Sequence, residues 1–465
     1  METASTPVSP AARGLDRLFQ LVDGSSLALF RILFGLIALN DAWWLWPKLK
    51  TFALQETAFR FRYPGFEWVP AWSGSEKLLA IGLAVAAAGV ALGLLYRLAA
   101  FLLFLGYACV LLLDQSFYAN QYWWMCLLAL LMSGLPANRV WAVDGLLWKG
   151  GSAVVPAWAP LSVAVFTAIP LLYMGVSRLN PDWLSGYPLL IWFKQVSADP
   201  KLWPFLRELL ATPLTAKTWS WFGVALHLLV VPMAVWRPTR WLAVALMAVY
   251  YAGLSLAFRQ PIIVLPAFAG LIAFFPPDGP RRLFARNAAT PGSVTDTAAH
   301  EAGSPWAFRG VALLLIAHAL IPARSLVYPG AAVWTGEGYR FAWRTMLDDK
   351  YCEIRYFARD TGAGKSTPIE PRKYLTGAQF QELNARPDMM PQFARQLAER
   401  LKADRNLDAQ ILARAKCSLN SRPYSLLVDP GLDLAKIEPG TPVAEWVKPM
   451  EARFPPGWRV VGPGR

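Results

Sequence analysis

The stretch Gly-Val-Ser-Arg-Leu-Asn-Pro-Asp-Trp at 175–183 ends an apolar run that starts near Trp158, and Arg178 is the first charge in that run. A guanidinium keeps its proton and offers five N–H donors in a fixed fork. Arg178 is therefore a candidate holder of a carboxylate or other oxyanion, not a candidate base. The plainer reading is a snorkelling cation that pairs with Asp182 where a membrane span ends. Asn120 and Gln121 open another apolar run, where they could hydrogen-bond to a reacting group or cap a helix. His227 and His318 lie inside apolar runs, where an imidazole most often bonds between helices. Asp114 closes a run as a cap or partner, and Asp144 reads as a loop organiser. In "YRFAWRTML", Arg340 and Arg344 are four apart; on a strand they would share one face and could receive an acidic peptide. No metal-ligand spacing occurs, and "GAGK" at 362–365 lacks the rest of a phosphate loop.

The elements that must position these residues are membrane helices. The chain has 465 residues, 55% hydrophobic and only 16% charged, where soluble domains carry about 25% charged residues. Apolar runs of roughly 20 residues recur, with tryptophans such as Trp43, Trp44, Trp123, Trp158, Trp183 and Trp236 at their flanks. Candidate spans fall near 26–46, 78–96, 98–114, 121–137, 158–177, 219–236, 240–257, 261–276 and 308–327. The net charge of +14 suggests cytoplasmic loops and lipid headgroups rather than nucleic acid. Arg97, Arg139, Lys149, Arg237, Arg240, Arg281, Arg282, Arg286 and Arg309 would lie on one side, which favours an inside N-terminus and an outside C-terminus. The first run shows no cleavage site and reads as a retained span. Cys109 and Cys126 read as small hydrophobes, and a disulfide between Cys352 and Cys417 is left open.

Residues 285–305 are rich in Ala, Ser, Thr and Gly, within a linker placed at 278–306. From 339 to 362 the pattern alternates like paired strands, with a turn at "DTGAGK". Helical stretches follow near 376–383 and 388–404, and strand-like alternation returns after Ala409. The expected fold is a membrane all-α bundle of about nine transmembrane helices followed by a small α+β extracytoplasmic domain. Its parts are a cytoplasmic tail at 1–24, a membrane domain at 25–328 and the extracytoplasmic domain at 329–465.

Six segments together resemble the vitamin K-dependent gamma-glutamyl carboxylase family, whose membrane half is also called the horizontally transferred transmembrane domain. They are "SSLALFRILFG" at 25–35, "LLLDQSFYANQYW" at 111–123, "VWAVDGLL" at 140–147, "GVSRLNPDWLSGY" at 175–187, "GYRFAWRTML" at 338–347 and "CSLNSRPYSLLVDPGLDLA" at 417–435. The resemblance implies use of a reduced naphthoquinone, O2 and CO2, a Glu-containing peptide substrate, and no metal. It implies that quinol epoxidation generates a strong base, which removes a gamma proton from glutamate before CO2 adds. For a bacterial-type member it implies the inner membrane, with the lipid bilayer and the quinone as partners. It places a catalytic site at Arg178, Gln121 and Asn120, quinone contacts at Lys194, Asp182, Trp183 and Tyr251, and peptide contacts at Trp334, Arg340, Trp343 and Arg344.

The match keeps the frame and changes the chemistry. The family's Gly-Val-Lys-Lys-Leu-Asp-x-Asp-Trp, with its second lysine as base, is met here by Ser177 and Arg178. Its Asn-His becomes Asn120-Gln121, and its paired His and Asn fall on Tyr251 and Leu254. A desolvated lysine can be neutral and take a proton; arginine does not do so. Lys194 or a water held by Asp182 could stand in. The loop 47–77 has no Cys to reproduce the disulfide that ties this loop to the outer domain in animal members. Two functions stay open: a quinol-using membrane enzyme of the carboxylase type, or a non-catalytic binding or assembly protein on the same fold. Loss of polarity at three places favours the second, and the retained outer domain favours the first.

Overall fold

The computed structural model describes residues 16–54, 59–69, 75–148, 152–258, 265–284, 305–328 and 330–451. Helix α1 (Ser25–Leu54) leads from a short strand β1 (Leu21–Asp23), which pairs antiparallel with β2 (Val154–Pro156). The end of the expected tail is thus part of the fold. Four helices follow β1 and precede β2 or lie beside it: α1, α2 (Glu76–Leu92), α3 (Tyr96–Leu113) and α4 (Asn120–Gly134), with a short α5 (Val143–Leu147) after them. Then come α6 (Trp158–Ser177), α7 (Pro181–Leu184), α8 (Leu189–Ser197), α9 (Pro204–Ala211), α10 (Pro213–Val235) and α11 (Arg240–Phe258). The membrane half closes with α12 (Leu265–Leu271), α13 (Gly279–Phe284) and α14 (Pro305–Ala323).

Among the described residues, six helical stretches are long and apolar enough to cross a membrane: 25–52, 96–113, 158–177, 213–235, 237–258 and 305–326. At 20 residues, α6 is about 30 Å long, the thickness of the hydrocarbon layer. The expected nine spans are not reached. Helices α2 and α4 occupy two of the remaining places but have 17 and 15 residues. The eighth candidate is α12 and a following turn, Leu265–Phe274, with its first residues outside the described set. The linker expectation also needs correction. Residues 279–284 form α13, where Arg281 pairs with Asp23 at 2.6 Å; the rest of that linker, 285–304, lies outside the described residues.

Small residues set the helix spacing around the later site. A side chain at Gly175 on α6 would collide with Leu228 and with the β-carbon of His227 on α10. The fit there is tight, and α6 and α10 approach closely.

The C-terminal domain holds a four-stranded antiparallel sheet in the order β4-β3-β5-β6. Strands β3 (Lys350–Asp360) and β5 (Ala409–Leu419) pair along their whole length, flanked by β4 (Ser366–Ile369) and β6 (Ser425–Leu426). Alternate residues of β5, from Ile411 through Ala413, Ala415 and Cys417 to Leu419, are buried, as a half-buried strand requires. Helix α17 (Met390–Arg405) covers this face with Phe393, Ala394, Leu397 and Leu401, preceded by a short α15 (Ala332–Thr335) and by α16 (Gly377–Ala385). Thr376 and Gln379 cap α16 reciprocally. Cys352 and Cys417 sit opposite one another in the β3–β5 register and form a disulfide, which settles the pairing that spacing left open.

Strand structure begins at Lys350, not near Tyr339. Segment 338–347 alternates in hydrophobicity like a strand, yet its backbone does not. Phe341, Trp343 and Met346 have φ of 60°, 55° and 54°. Such left-handed conformations are strained for non-glycine residues and survive only where packing overdetermines them. Here Phe341 lies against Tyr63, Tyr118 and Trp123, and Trp343 lies edge-on to Trp124 and His318. Trp343 and Leu347 are buried in the core of the membrane half, although they precede the first strand of the C-terminal sheet.

Candidate functional site

The turn between α6 and α7 is written in its sequence. Helix α6 ends at Arg178, and Asn180 begins the next helix by accepting from Trp183 N at 3.0 Å, with Pro181 as first helical residue. Proline there gives up no needed N–H. Asn180 Nδ2 also donates to Ser177 O at 2.9 Å. One asparagine therefore closes α6 and opens α7, which fixes where Arg178, Asp182 and Trp183 point.

Arg178 is 2% exposed. Its Nη1 donates to Met174 O at 2.7 Å and its Nη2 to Thr345 O at 3.4 Å. The guanidinium lies 4.9 Å from the Trp183 ring centre. The expected Arg178–Asp182 pair does not form. Asp182 instead accepts from Arg422 Nη1 and Nη2 at 2.6 and 2.7 Å and from Asn420 Nδ2 at 2.6 Å. The reason is geometric: Arg178 turns back along its own helix onto the α6 C-terminal carbonyls, where a cation is favoured, while the C-terminal domain brings a planar fork to Asp182.

Asn120 belongs to the same assembly. Its Nδ2 donates to Arg344 O at 2.6 Å and to Thr345 Oγ1 at 2.7 Å, and its Oδ1 accepts from the Tyr118 hydroxyl. Thr345 therefore joins Asn120 to Arg178. Gln121 points elsewhere, donating to Asp41 Oδ1 on α1 at 2.5 Å. Asp41 is buried and was not singled out from sequence; a carboxylate inside the first apolar run was the signal available. Tyr251 bonds to His227 Nε2 at 2.9 Å, and His227 Nδ1 faces Gly223 O at 2.6 Å. Lys194 is half-buried on α8 and does not line the cleft described next.

A cleft of about 530 Å³ separates the end of α6 from the C-terminal domain. Its apolar wall includes Tyr173, Val176, Leu179, Val333 and Leu347; Asn180, Asp182, Arg344, Asn420 and Arg422 supply polar groups. Arg178 lies behind this wall. Of the four residues expected to meet a peptide, Arg344 alone lines this cleft. Trp334 is 2% exposed in the C-terminal core, and Trp343 is 0% exposed in the core of the membrane half. Arg340 lines a separate cleft of about 930 Å³ and pairs with Asp388 at 2.5 Å. Burial opposes its charge, but Asp388, Tyr63 and Glu382 together outweigh burial and raise its pKa. The shared strand face expected for Arg340 and Arg344 does not exist, because neither residue is on a strand.

A second junction went unnoticed in the sequence. The extended segment 59–62, between α1 and α2, lies along the C-terminal domain with its backbone fully bonded. Gln396 exchanges two hydrogen bonds with Arg60, both 2.9 Å, and Gln392 exchanges two with Arg62, both 3.0 Å. Phe59 N donates to Tyr374 O, and Phe59 O accepts from Gln379. Phe61 N donates to Asp114 Oδ2, and Phe61 O accepts from Gln115 N. Phe59 and Phe61 fill the C-terminal core. Gln392 and Gln396 are four apart on α17, hence on one face.

Among the described residues no group of three or more His, Cys, Asp or Glu could hold a metal ion. No solved structure matches the chain. Residues 304–453 match the model of the vitamin K-dependent gamma-carboxylase lumenal domain. Residues 19–278, more than half the chain, match the model of the HTTM domain. The two matched regions meet at the Arg178–Thr345–Asn120 junction and at the cleft beside it, and with both halves present in order the chain belongs to the vitamin K-dependent gamma-carboxylase family.

Proposed function

We propose that this chain binds a reduced naphthoquinone in the cleft beside α6 and has lost the lysine-dependent carboxylation of peptide glutamate. The observation that carries the reading is the convergence of segments 176–182 and 331–347 on one apolar cleft with a few polar groups at its edge, the usual make-up of a small-molecule site. Its volume suits a two-ring quinone. Val176, Leu179, Val333 and Leu347 would hold the rings, and Arg344, whose buried Nε has no partner, would meet a ring oxygen. When bound, a quinol supplies reducing equivalents for reaction with O2. Among the described residues no lysine or histidine lines the cleft, and Arg178 does not serve as a base. We further propose the orientation that the basic loops favour, with the C-terminal domain outside the cytoplasm and the chain in a bacterial inner membrane.

The test incubates purified protein with a reduced naphthoquinone, O2, labelled bicarbonate and a Glu-rich peptide. The expected result is saturable quinone binding and no fixed label; absence of binding, or label fixed by the unaltered chain, overturns the proposal. Arg178→Lys combined with Gln121→His tests whether the frame still accepts a base, and gained label would show that it does. A second reading, a binding or assembly protein without chemistry, is favoured by one observation: Arg178 spends two donors on Met174 O and Thr345 O, which joins the two halves.

A further inference from the structure

The larger cleft, of about 930 Å³, is lined by residues whose buried polar atoms the chain leaves unused. Arg340 is 7% exposed and gives Nη1 to Asp388 Oδ2 at 2.5 Å. Its Nε and Nη2, which form another edge of the fork, have no hydrogen-bond partner among the described residues. The Tyr63 hydroxyl, Gln115 Oε1 and Asp388 Oδ1 are also buried without partners, and all four residues line this cleft. Buried polar atoms are costly when nothing meets them.

The place of the cleft limits what could meet them. Arg62 Nη1 donates to Leu113 O, on the last residue of α3, at 3.1 Å. Arg324, which follows α14, donates from Nη2 to Arg340 O at 2.6 Å. Two of the helical stretches able to cross a membrane, 96–113 and 305–326, therefore end beside this cleft, at the level where lipid headgroups lie. Five arginines and six carboxylates line it, a balance that suits a ligand carrying both charges rather than a bare anion. The unused atoms divide in the same way: Arg340 and Tyr63 offer donors, whereas Asp388 Oδ1 and Gln115 Oε1 accept.

We infer that this cleft receives the phosphoethanolamine headgroup of a phospholipid, with the phosphodiester on Arg340 and Tyr63 and the primary ammonium on Asp388 and Gln115. The Nε–Nη2 edge presents two parallel N–H groups to two phosphate oxygens. A choline headgroup has the same charges but no N–H, so it would leave both acceptors unpaired; a glycerol headgroup brings the phosphate without the cation. The site is separate from the cleft beside α6 and does not depend on what binds there.

The test titrates full-length protein in detergent with dihexanoyl phosphatidylethanolamine, phosphatidylcholine and phosphatidylglycerol, read by native mass spectrometry. The ethanolamine lipid is expected to bind roughly 10-fold or more tighter than the other two, through the hydrogen bonds of its ammonium. Asp388→Asn should erase its preference over the choline lipid, and Arg340→Met should weaken all three. Tyr63→Phe removes a hydroxyl that no described residue uses; it should weaken the ethanolamine lipid roughly 5-fold and covers the case in which Arg340→Met does not fold. Glycerophosphoethanolamine, the headgroup without tails, should compete. An affinity below that of the lipid assigns the ligand to the bilayer, an equal affinity assigns it to a free phosphodiester, and either supports the headgroup site. The inference is overturned by no binding of the ethanolamine lipid, by equal binding of the three lipids, by unchanged affinity in Tyr63→Phe, or by failure of glycerophosphoethanolamine to compete.

Discussion

Replacing Asp182 by leucine strands Arg422 in the interface between the two halves. The Asp182 and Arg422 side chains are 16% and 6% exposed, so the pair is close to fully buried. Three hydrogen bonds of 2.6–2.7 Å converge on the carboxylate. Breaking a buried pair from one side typically costs about 3–5 kcal/mol, because the remaining charge keeps its desolvation penalty. Local amide exchange in 180–185 and 418–425 should therefore accelerate by roughly two to three and a half orders of magnitude. The companion is Asp182→Leu with Arg422→Met, which removes both charges and fills the space with apolar atoms. Because an apolar pair can replace a buried ion pair at little loss, the double variant should recover most of the protection. Exchange measured by mass spectrometry on protein in nanodiscs reads both without requiring reversible unfolding. Unchanged protection in the single variant, or a double variant no better than the single one, would refute the argument that the pair is a desolvated latch.

Gln392→Ala with Gln396→Ala removes four hydrogen bonds to residues 60 and 62; at about 1 kcal/mol each, exchange at those two amides should rise by roughly 100-fold or more, checked in the same experiment. Lys350 offers a pH test. Burial, reinforced by the Arg386 charge, pushes its ammonium down to about 7 against the pull of Asp348 and Asp388. The unfolded chain then holds the Lys350 proton to higher pH than the folded one, so stability rises with pH above about 7, by at most about 1.4 kcal/mol per unit. Thermal scans from pH 6.5 to 9 should show the C-terminal domain gaining stability, and Lys350→Met should flatten that slope.

The membrane half was legible because its signal is composition over long windows. Every expected span has a helix at its place, yet α2, α4 and α12 are shorter than the six long crossings. The apolar runs continue past the helix ends, and hydropathy does not register where a helix stops. Segment 338–347 was misread for a different reason. Aromatic alternation at Tyr339, Phe341 and Trp343 has the period of a strand, but positive φ at 341 and 343 comes from packing against α4 and α14, which no local pattern encodes. The place of the site was readable at 175–183. Its partners Thr345, Asn420 and Arg422 were not, since each lies more than 160 residues away in sequence.

Arginine and lysine at position 178 differ in reach as well as acidity. A lysine ammonium carries its donors on one nitrogen; a guanidinium spreads five over three. Arg178 uses that spread to touch Met174 O on its own helix and Thr345 O in the segment leading to the C-terminal sheet at once. Asn120 grips the same segment from α4 through Arg344 O and Thr345 Oγ1. The segment is thus pinned from two helices, with Trp343 driven into the membrane core between them. A lysine at 178 would bring a single donor centre to a junction where arginine brings two separated ones. An arginine at 178 therefore gives this junction a clamp between the two halves where a lysine would give it a titratable amine.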